Sequence, residues 1–533
     1  MDPINFAKKR VLIVDDLPEA RVGVHRMMRD FGATEIKAVS GGKEAVEALQ
    51  EQSYDIVLCD YNLGEGKDGQ QILEEVRYNK LLKNTATFVL ITAENTTDMV
   101  MGALEYAPDS YVTKPFTKGD LRTRLIKLLE MKQLLHPLDS AIDKGDLAAA
   151  LKACDVLAPK AKEYAGKILR TKGQLLFEAN MLDESEKLYQ QILSRREMPW
   201  ALLGLGKVSF AREDYAAAKD YFEKLTAQNQ FYVPAFDWLA KCEEALGDYQ
   251  AAQETIQKAI GTSPKAVLRQ MELARLAEHN QDEVIAEKAY KQSVNLGKDS
   301  CYKNPESYLG LAKSLQYKVQ PSGDRESRNA TADALRALTA VQKEFGGNDK
   351  VALKATVLEG ETHFHSGKEE DGKKCIAKAE DIYDGMDDAD ASDAVELAKG
   401  FIVSGDIERA EELIEEAEAE GGVNDTIAAD IKRVKLRVEN ESLNNQGVEL
   451  FQAGKVKEAV AAFEKALEIE STDKVTLLNA IQVSLKLAEK DSTAKKTMMA
   501  NCKGYFKVLK IRPNDPRKER FQTLKDMYDK MRK

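Results

Sequence analysis

Five polar residues stand directly after short apolar segments of the sequence: Asp15, Asp16, Asp60, Thr92 and Lys114. Three clustered carboxylates repel one another unless a cation lies among them, and such hard oxygen ligands suit Mg²⁺. A carboxylate can also accept a phosphoryl group, while a metal and an ammonium neutralise the phosphoryl oxygens. If the fold brings these residues together, they predict a magnesium-dependent site in which Asp60 is the phosphoacceptor.

The elements that must position these residues alternate between strand and helix patterns. Apolar runs predict strands at 10–14, 35–39, 55–60, 87–92 and 110–113, and amphipathic patterns predict helices at 18–31, 42–52, 69–78, 95–105 and 117–135. This alternation indicates a doubly wound, flavodoxin-like α/β fold of five βα units with a parallel sheet. In the order 2-1-3-4-5 the first and third strands are neighbours, and ligands bind at the carboxyl edge. The five polar residues then share that edge.

Each residue taken alone has a more ordinary explanation. An Asp after a strand is usually a turn or helix-cap residue. Lys114-Pro115 is a common loop pair, Thr92 would cap the next helix, and Tyr111 would be half-buried core. Their coincidence at successive strand ends favours the phosphoacceptor site over these separate explanations.

As a set, these residues resemble the signature of the response-regulator receiver domain over residues 8–131. The resemblance rests on Asp15-Asp16, Asp60, Thr92-Ala93 and Lys114-Pro115-Phe116, in that order. It implies that Asp60 accepts the phosphoryl group. It also implies that Mg²⁺ is held by Asp16 directly, by Asp15 largely through water, and by Asp60.

The same resemblance assigns roles to four further groups. The backbone carbonyl of Asn62 would be a metal ligand, Lys114 would pair with the acceptor or phosphoryl oxygen, and Thr92 would hydrogen-bond the phosphoryl group. Tyr111 would be the aromatic switch that turns inward when Thr92 moves. The loop after Asp60 departs from the family pattern, because Gly64 stands where a proline is usual and the loop is one residue longer.

From about residue 139 to 533 the sequence is almost wholly helical, and a 34-residue period is visible. Leu205, Tyr215, Ala218 and Phe222 correspond to Leu239, Tyr249, Ala252 and Ile256, and weaker copies lie near 173–189, 273–290, 397–417 and 447–466. Small residues at helix crossings and large apolar residues beside them are typical of stacked helix pairs. These blocks resemble tetratricopeptide repeats, which implies an α-helical superhelical solenoid at 139–533 after a linker at 132–138. A polar loop is expected at 319–327 and a capping helix at 514–533.

The sequence carries no motif for a second chemistry. It lacks a phosphate-binding glycine-rich loop with lysine, a Gly-x-Ser-x-Gly turn and a His-Glu-x-x-His helix. His363 and His365 are two apart and would point to different sides of a helix, so a solvated or core pair is favoured over a metal site. We therefore expect a protein that is not an enzyme beyond the phosphoacceptor itself.

Composition restricts the environment and the partners. The net charge of −11 argues against general nucleic-acid binding. The first residues lack the apolar core of a signal peptide, and no run of about 18 apolar residues exists to cross a bilayer. Six scattered cysteines without a C-x-x-C pair fit reduced thiols. These features predict a cytoplasmic protein with no membrane or nucleic-acid partner.

The combined hypothesis is a response regulator of a two-component phosphorelay. A sensor histidine kinase or a phosphotransfer protein would phosphorylate Asp60, and the face made by 95–105, the fifth strand and the helix from 117 would change. The helix from 117 would pass the change to repeats that bind a protein or peptide in their groove. The alternative is a constitutive scaffold whose receiver is only a docking module. An enzymatic or DNA-binding output within the repeats is a further alternative, and the acidic charge argues against the latter.

Overall fold

The computed structural model describes residues 4–93, 108–321, 323–419, 423–511 and 517–532. It divides into two compact units, Met1–Asn304 and Pro305–Lys533. The predicted helix at 95–105 lies outside the described residues. Among the helices that are described, none combines the length and the apolar character needed to cross a bilayer.

The first unit begins with a five-stranded parallel sheet in the order β2-β1-β3-β4-β5, as the sequence predicts. The strands are β1 Arg10–Val14, β2 Glu35–Val39, β3 Ile56–Asp60, β4 Thr87–Thr92 and β5 Ser110–Thr113. All five residues of the central β3 are buried, as expected of a strand covered on both faces. The described helices of this α/β part are α1 Pro18–Asp30, α2 Gly42–Glu51 and α3 Gly69–Tyr78, and the helix after β5 is numbered α4.

Helix α4 runs without interruption over Lys118–Asp143, so the predicted end at 135 is wrong. The residues expected to form a linker, 132–138, are helical. Pro137 lacks a backbone donor and usually ends or kinks a helix. Leu135 and Leu138 are nevertheless almost fully buried, against the first helices of the repeat region. Their burial offsets the hydrogen bond that the proline removes.

The repeat helices of the first unit are packed in antiparallel pairs. They are α5 Leu147–Lys160, α6 Ala165–Glu178, α7 Leu182–Leu193, α8 Pro199–Ala211, α9 Tyr215–Gln228, α10 Val233–Ala245, α11 Tyr249–Thr262, α12 Val267–His279 and α13 Glu283–Gly297. Asp214, Asp248 and Asp282, spaced 34 residues apart, each cap the second helix of a pair by accepting from a backbone N–H three residues on. The predicted period is thus visible in the caps.

The second unit continues the helical pairs. Its helices are α14 Pro305–Gln316, α15 Arg325–Phe345, α16 Asp349–His365, α17 Glu369–Asp384, α18 Ala391–Ser404, α19 Ile407–Ala419, α20 Asp425–Gln452, α21 Val456–Ile469, α22 Lys474–Lys490, α23 Lys495–Val508 and α24 Lys518–Arg532. The predicted polar loop ends earlier than expected, because Asp324 caps α15 and starts it at Arg325. The expected terminal helix is present as α24.

Small residues do stand where repeat helices cross. A Cβ at Gly206 of α8 would lie 2.5 Å from the ring of Phe222, and a Cβ at Gly447 would lie 2.7 Å from Phe463. Both rings are almost fully buried. Each glycine therefore lets an aromatic side chain of the paired helix sit directly on the backbone, in both units.

Candidate functional site

The carboxyl edge of the sheet brings the sequence-predicted acids together. Strands β1 and β3 are adjacent, with Val14 opposite Cys59, so Asp15 and Asp60 follow at neighbouring positions. Asp60 in turn pairs with Ile91 of β4. Because the strands are parallel, these ends meet on one side of the sheet.

Lys114 connects the two buried acids. Its Nζ lies 3.1 Å from Oδ2 of Asp15 and 2.9 Å from Oδ2 of Asp60. The side chains of Asp15 and Asp60 are only 2% and 8% exposed, whereas that of Lys114 is 24% exposed. A buried carboxylate needs such a partner, since an unpaired buried charge is strongly unfavourable.

Burial and pairing act in opposite directions on these groups. Burial raises the pKa of the Asp60 carboxyl, and the hydrogen bond and charge of Lys114 counteract part of that rise. Burial alone would lower the pKa of Lys114, but its hydrogen bonds to Asp60 and Asp15 outweigh it and the pKa of Lys114 is raised. The ammonium therefore stays charged and favours the ionised form of the acceptor acid.

The three acids form a group that fits a hard divalent cation. One carboxylate oxygen from each of Asp15, Asp16 and Asp60 lies within 4.8 Å of the others. Octahedral Mg²⁺ has bonds of about 2.0–2.1 Å, so its ligand atoms are about 3–4 Å apart, and separations below 4.8 Å are compatible with direct or water-mediated binding. Asn62 and Asp16 line the same cavity, of about 290 Å³, at this edge. The residues assigned to Mg²⁺ in the sequence are thus brought together.

Arg21 supports this group and was missed in the sequence. Its Nη1 donates to the backbone carbonyl of Asp15 at 2.5 Å and to that of Asp16 at 3.4 Å. The N–H of Leu17 donates to Oδ1 of Asp15 at 3.0 Å. These bonds fix the turn after β1. An arginine six residues further along, on an amphipathic helix, carries no spacing signal that would identify it in advance.

Thr92 and Tyr111 lie at and beside the same edge. Thr92 ends β4, lines the cavity, and its carbonyl accepts from the N–H of Lys114 at 2.7 Å. Tyr111 pairs with Leu90 and is half-buried. Its hydroxyl is buried and has no hydrogen-bond partner among the described residues, and burial raises its pKa. The switch role of these two residues stays a prediction.

The backbone conformation of the loop after Asp60 depends on two glycines. Gly64 and Gly66 have φ values of 70° and 91°, in the left-handed region that favours glycine. A Cβ on Gly64 would lie 3.4 Å from Oδ2 of Asp16. The departure from the family pattern therefore creates a close approach of the loop to the acidic group.

His363 and His365 do not form a pair of ligands in the structure. A different set, Glu359, His363 and Cys375, offers donor atoms within 4.8 Å of one another. All three side chains are partly exposed, and Gln342 donates to Glu359 at 3.3 Å. We assign no metal to this set.

Comparison with known families and proteins covers both parts of the chain. The family model "Response regulator receiver domain" matches residues 11–126. Models of the tetratricopeptide repeat match 170–232, 233–265 and 441–473.

Individual relatives match the receiver part. Chemotaxis protein CheY-3 of Vibrio cholerae is 30% identical over 130 residues, which are 24% of this chain and 98% of that protein. Chemotaxis protein CheY of Pseudomonas aeruginosa is 31% identical over 121 residues, 23% of this chain and 96% of that protein. Sensor protein GacS of Pseudomonas syringae is 34% identical over 127 residues, but the chain spans only 14% of its length.

Among solved structures, a tetratricopeptide repeat protein from Parabacteroides merdae covers 57% of this chain and 98% of its own, at 16% identity and a TM-score of 0.31. CheY4 of Vibrio cholerae covers 23% of this chain and 98% of its own, at 23% identity and a TM-score of 0.21.

The family follows from the receiver match, which spans nearly the full length of the CheY proteins, together with the five-stranded sheet and the repeat matches. The chain belongs to the response regulators, with an amino-terminal receiver domain followed by tetratricopeptide repeats.

Proposed function

We propose that this protein accepts a phosphoryl group on Asp60 and that the phosphorylation state controls protein binding by its repeats. The observation that carries the proposal is the position of Lys114. Its ammonium pairs with both Asp15 and Asp60, beside the cavity at the carboxyl edge of the sheet. An ammonium beside Asp60 would neutralise the negative charge that develops on a transferred phosphoryl group.

The donor we propose is a phosphohistidine on a sensor histidine kinase or a phosphotransfer protein. An Oδ atom of Asp60 attacks phosphorus, the P–N bond breaks, and the P–O bond of an acyl phosphate forms. The electron pair of the broken bond stays on the imidazole nitrogen, which takes up a proton. Asp60 must be ionised to attack, and Lys114 maintains that form against burial.

The residues fit Mg²⁺, with Asp15, Asp16, Asp60 and the carbonyl of Asn62 as its holders. When bound, the ion supplies positive charge to the phosphoryl oxygens. We assign Thr92 to a hydrogen bond with the phosphoryl group, because this residue lines the cavity that the group would enter. Tyr111 is the residue proposed to respond to Thr92.

The output we propose is a protein or peptide ligand of the repeats. In the second unit, helices α17 and α18 border a cavity of about 470 Å³. Its lining mixes the apolar Ile376 and Phe401 with the charged Lys373 and Glu380. Such a mixed concave surface suits a peptide segment better than a polyanion.

The experiment is incubation of the full chain with acetyl phosphate, with and without Mg²⁺, followed by intact-protein mass spectrometry. We expect the mass of one phosphoryl group on the wild type, only with Mg²⁺, and none on Asp60→Asn. The matched control is Asp55→Asn, which precedes the first residue of the same strand and whose carboxylate accepts from Lys9 and Arg10. It should be labelled like the wild type, and label on Asp60→Asn would contradict the proposal.

A further inference from the structure

One face of helix α3 touches the end of repeat helix α13 and the segment that follows it in the same unit. Nε2 of Gln71 donates to the carbonyl of Leu296 at 3.3 Å, and Oγ of Ser300 donates to Oε2 of Glu74 at 3.3 Å. Next along α3, the ring of Tyr78 meets that of Tyr302 edge to face, with centroids 5.5 Å apart. Positions 71, 74 and 78 are three and four residues apart and so share a helix face.

The centre of this contact is polar and buried, whereas Tyr78 at its edge is exposed. Glu74 is 3% exposed and Ser300 is 6% exposed. A buried carboxylate needs hydrogen-bond donors, so losing the Ser300 donor would be unfavourable. The fit between α3 and the segment 296–302 is therefore specific in geometry, unlike an apolar patch that tolerates sliding.

A chain of hydrogen bonds leads from this contact to the residue next to the acceptor. The hydroxyl of Tyr61 donates to Oε1 of Gln70 at 3.1 Å, and Nε2 of Gln70 donates to Oε1 of Glu74 at 3.2 Å. All three side chains are buried. Tyr61 also carries a contact of its own, since Nζ of Lys265 lies 5.5 Å from its ring centroid.

The backbone at the acceptor is packed directly on the start of α3. A Cβ on Gly69 would lie 2.3 Å from the carbonyl oxygen of Asp60, and the N–H of Gly69 donates to the carbonyl of Tyr61 at 2.8 Å. The backbones of Asp60 and Gly69 are therefore in close contact, with no room for a side chain between them. A shift of Asp60, Tyr61 or the loop that lines the cavity must therefore move α3.

We propose that the face of α3 formed by Gln71, Glu74 and Tyr78 is an internal docking surface for residues 296–302, and that phosphorylation of Asp60 releases it. The inference rests on the proposed function. A phosphoryl group adds volume and negative charge at Asp60. The volume displaces the loop against α3, and the charge disfavours the buried carboxylate of Glu74, two hydrogen bonds beyond Tyr61. Both effects favour the undocked arrangement.

This route differs from the one expected from the sequence, which passes through the helix from 117. Helix α4 does lead into the repeats, but it is held there by Leu135 and Leu138 and has no bond to Asp60 among those described. Helix α3 has both connections, one to the backbone of the acceptor and one to the repeats.

The test is hydrogen–deuterium exchange on the full chain, before and after treatment with acetyl phosphate and Mg²⁺, with the phosphoryl mass measured on the same samples. We expect exchange in 296–304 and 69–78 to become at least severalfold faster in the phosphorylated wild type. Asp60→Asn should show no change. Unchanged or slower exchange in a sample that carries the phosphoryl mass would overturn the release alone. A wild type that takes up no phosphoryl group would overturn the proposed function as well.

A second pair of variants examines the contact itself. Gln71→Ala combined with Tyr302→Ala should exchange rapidly in 296–304 without treatment, and should still take up the phosphoryl group. The control is Lys298→Ala, an exposed residue in the same segment, which should retain wild-type protection. Wild-type protection in the double variant would show that α3 does not hold this segment and would overturn the docking surface.

Discussion

The ammonium of Lys114 and the carboxylates of Asp15 and Asp60 stabilise one another, so each residue's contribution depends on the others. Removing the lysine leaves two buried acids without their shared counter-ion. The site must then either take up protons or bind another cation. This mutual dependence makes both the stability and the reactivity of the site measurable at single residues.

Replacing Lys114 by alanine should lower the unfolding temperature of the receiver at neutral pH and slow phosphoryl uptake at least tenfold. The reason is that Asp15 and Asp60 lose bonds of 3.1 and 2.9 Å. Thermal unfolding and timed mass spectrometry with acetyl phosphate measure the two effects. Mg²⁺ should restore more stability to Lys114→Ala than to the wild type, and an equal response of both proteins would contradict this explanation.

Asp16→Asn should weaken Mg²⁺ binding at least tenfold, since it removes one of three charged ligands. Isothermal titration calorimetry with MgCl₂ measures the affinity. Asp30→Asn provides the control, because Asp30 is an acid of the same unit that pairs with Lys118 at the end of α1, outside the acidic group. Equal affinities for wild type and Asp16→Asn would exclude Asp16 as a ligand.

At the scale of elements, α4 is where local rules and tertiary packing disagree. Its end could not be predicted, because Pro137 is a local signal whereas the burial of Leu135 and Leu138 depends on helices later in the chain. The end of α4 also forms hydrogen bonds with the loop before β4 of the receiver. The carboxylate of Asp143 accepts from the N–H and Nδ2 of Asn84 at 2.7 and 2.9 Å.

Asp139, on the same helix, is buried and its Oδ2 has no hydrogen-bond partner among the described residues. Burial raises its pKa from 3.8 to about 6, a rise that the nearby Lys132 and Lys167 reduce. The folded state therefore binds the proton more tightly than the unfolded state, so this carboxyl lowers stability as pH rises from about 4 to 6, and the loss is complete above that. Asp139→Asn should stabilise the first unit by about 2–3 kcal/mol at pH 7.5, since the shift is about 2 units at 1.36 kcal/mol each.

Urea unfolding of wild type and Asp139→Asn at pH 5 and pH 7.5 provides the measurement. The difference between the two proteins should be larger at the higher pH. The control is Glu130→Gln, which changes an exposed acid on the same helix and should leave the free energy of unfolding close to that of the wild type. A difference that shrinks as pH rises would contradict the assignment.

The helix crossings of the repeats give a second prediction at this scale. Gly206→Ala should destabilise its helix pair by about 1–3 kcal/mol, because the added Cβ meets the buried ring of Phe222. Gly261→Ala is the control, since a Cβ there meets nothing within 4 Å and alanine favours the helix. Urea unfolding measures the free energy of unfolding of both variants, and equal values would show that the helix crossing at Gly206 can accommodate a methyl group.

For the whole molecule, most of the receiver and its acidic site follow from local patterns, while its attachment to the repeats does not. An apolar run that ends in Asp, Thr or Lys predicts a buried strand and also predicts which residue lies at the carboxyl edge of the sheet. The contacts of Gln71 with Leu296 and of Glu74 with Ser300 join residues more than 220 positions apart. No spacing rule connects such pairs, so only the folded chain shows that α3 lies on the repeats.

Because α4 continues to Asp143, we expect the stability of a receiver fragment to depend on where within α4 the fragment ends. A fragment of residues 1–131 should accept the phosphoryl group but unfold at a lower temperature than a fragment of residues 1–164. The shorter fragment lacks Asp143, and it lacks Lys132, whose Nζ bonds the carbonyl of Asn84 at 2.6 Å and Asp109 at 2.8 Å. Thermal unfolding of both fragments tests this, and equal midpoints would favour the boundary at 131.

The central claim is that Asp60 is the residue that receives the phosphoryl group. Its most direct test is reduction of the acetyl phosphate-treated full chain with borohydride, which converts an aspartyl phosphate to homoserine, followed by peptide mass spectrometry. We predict homoserine at position 60, dependent on Mg²⁺ and absent from untreated protein. Homoserine at another acid, or unmodified Asp60 in protein that carries the phosphoryl mass, would contradict the claim.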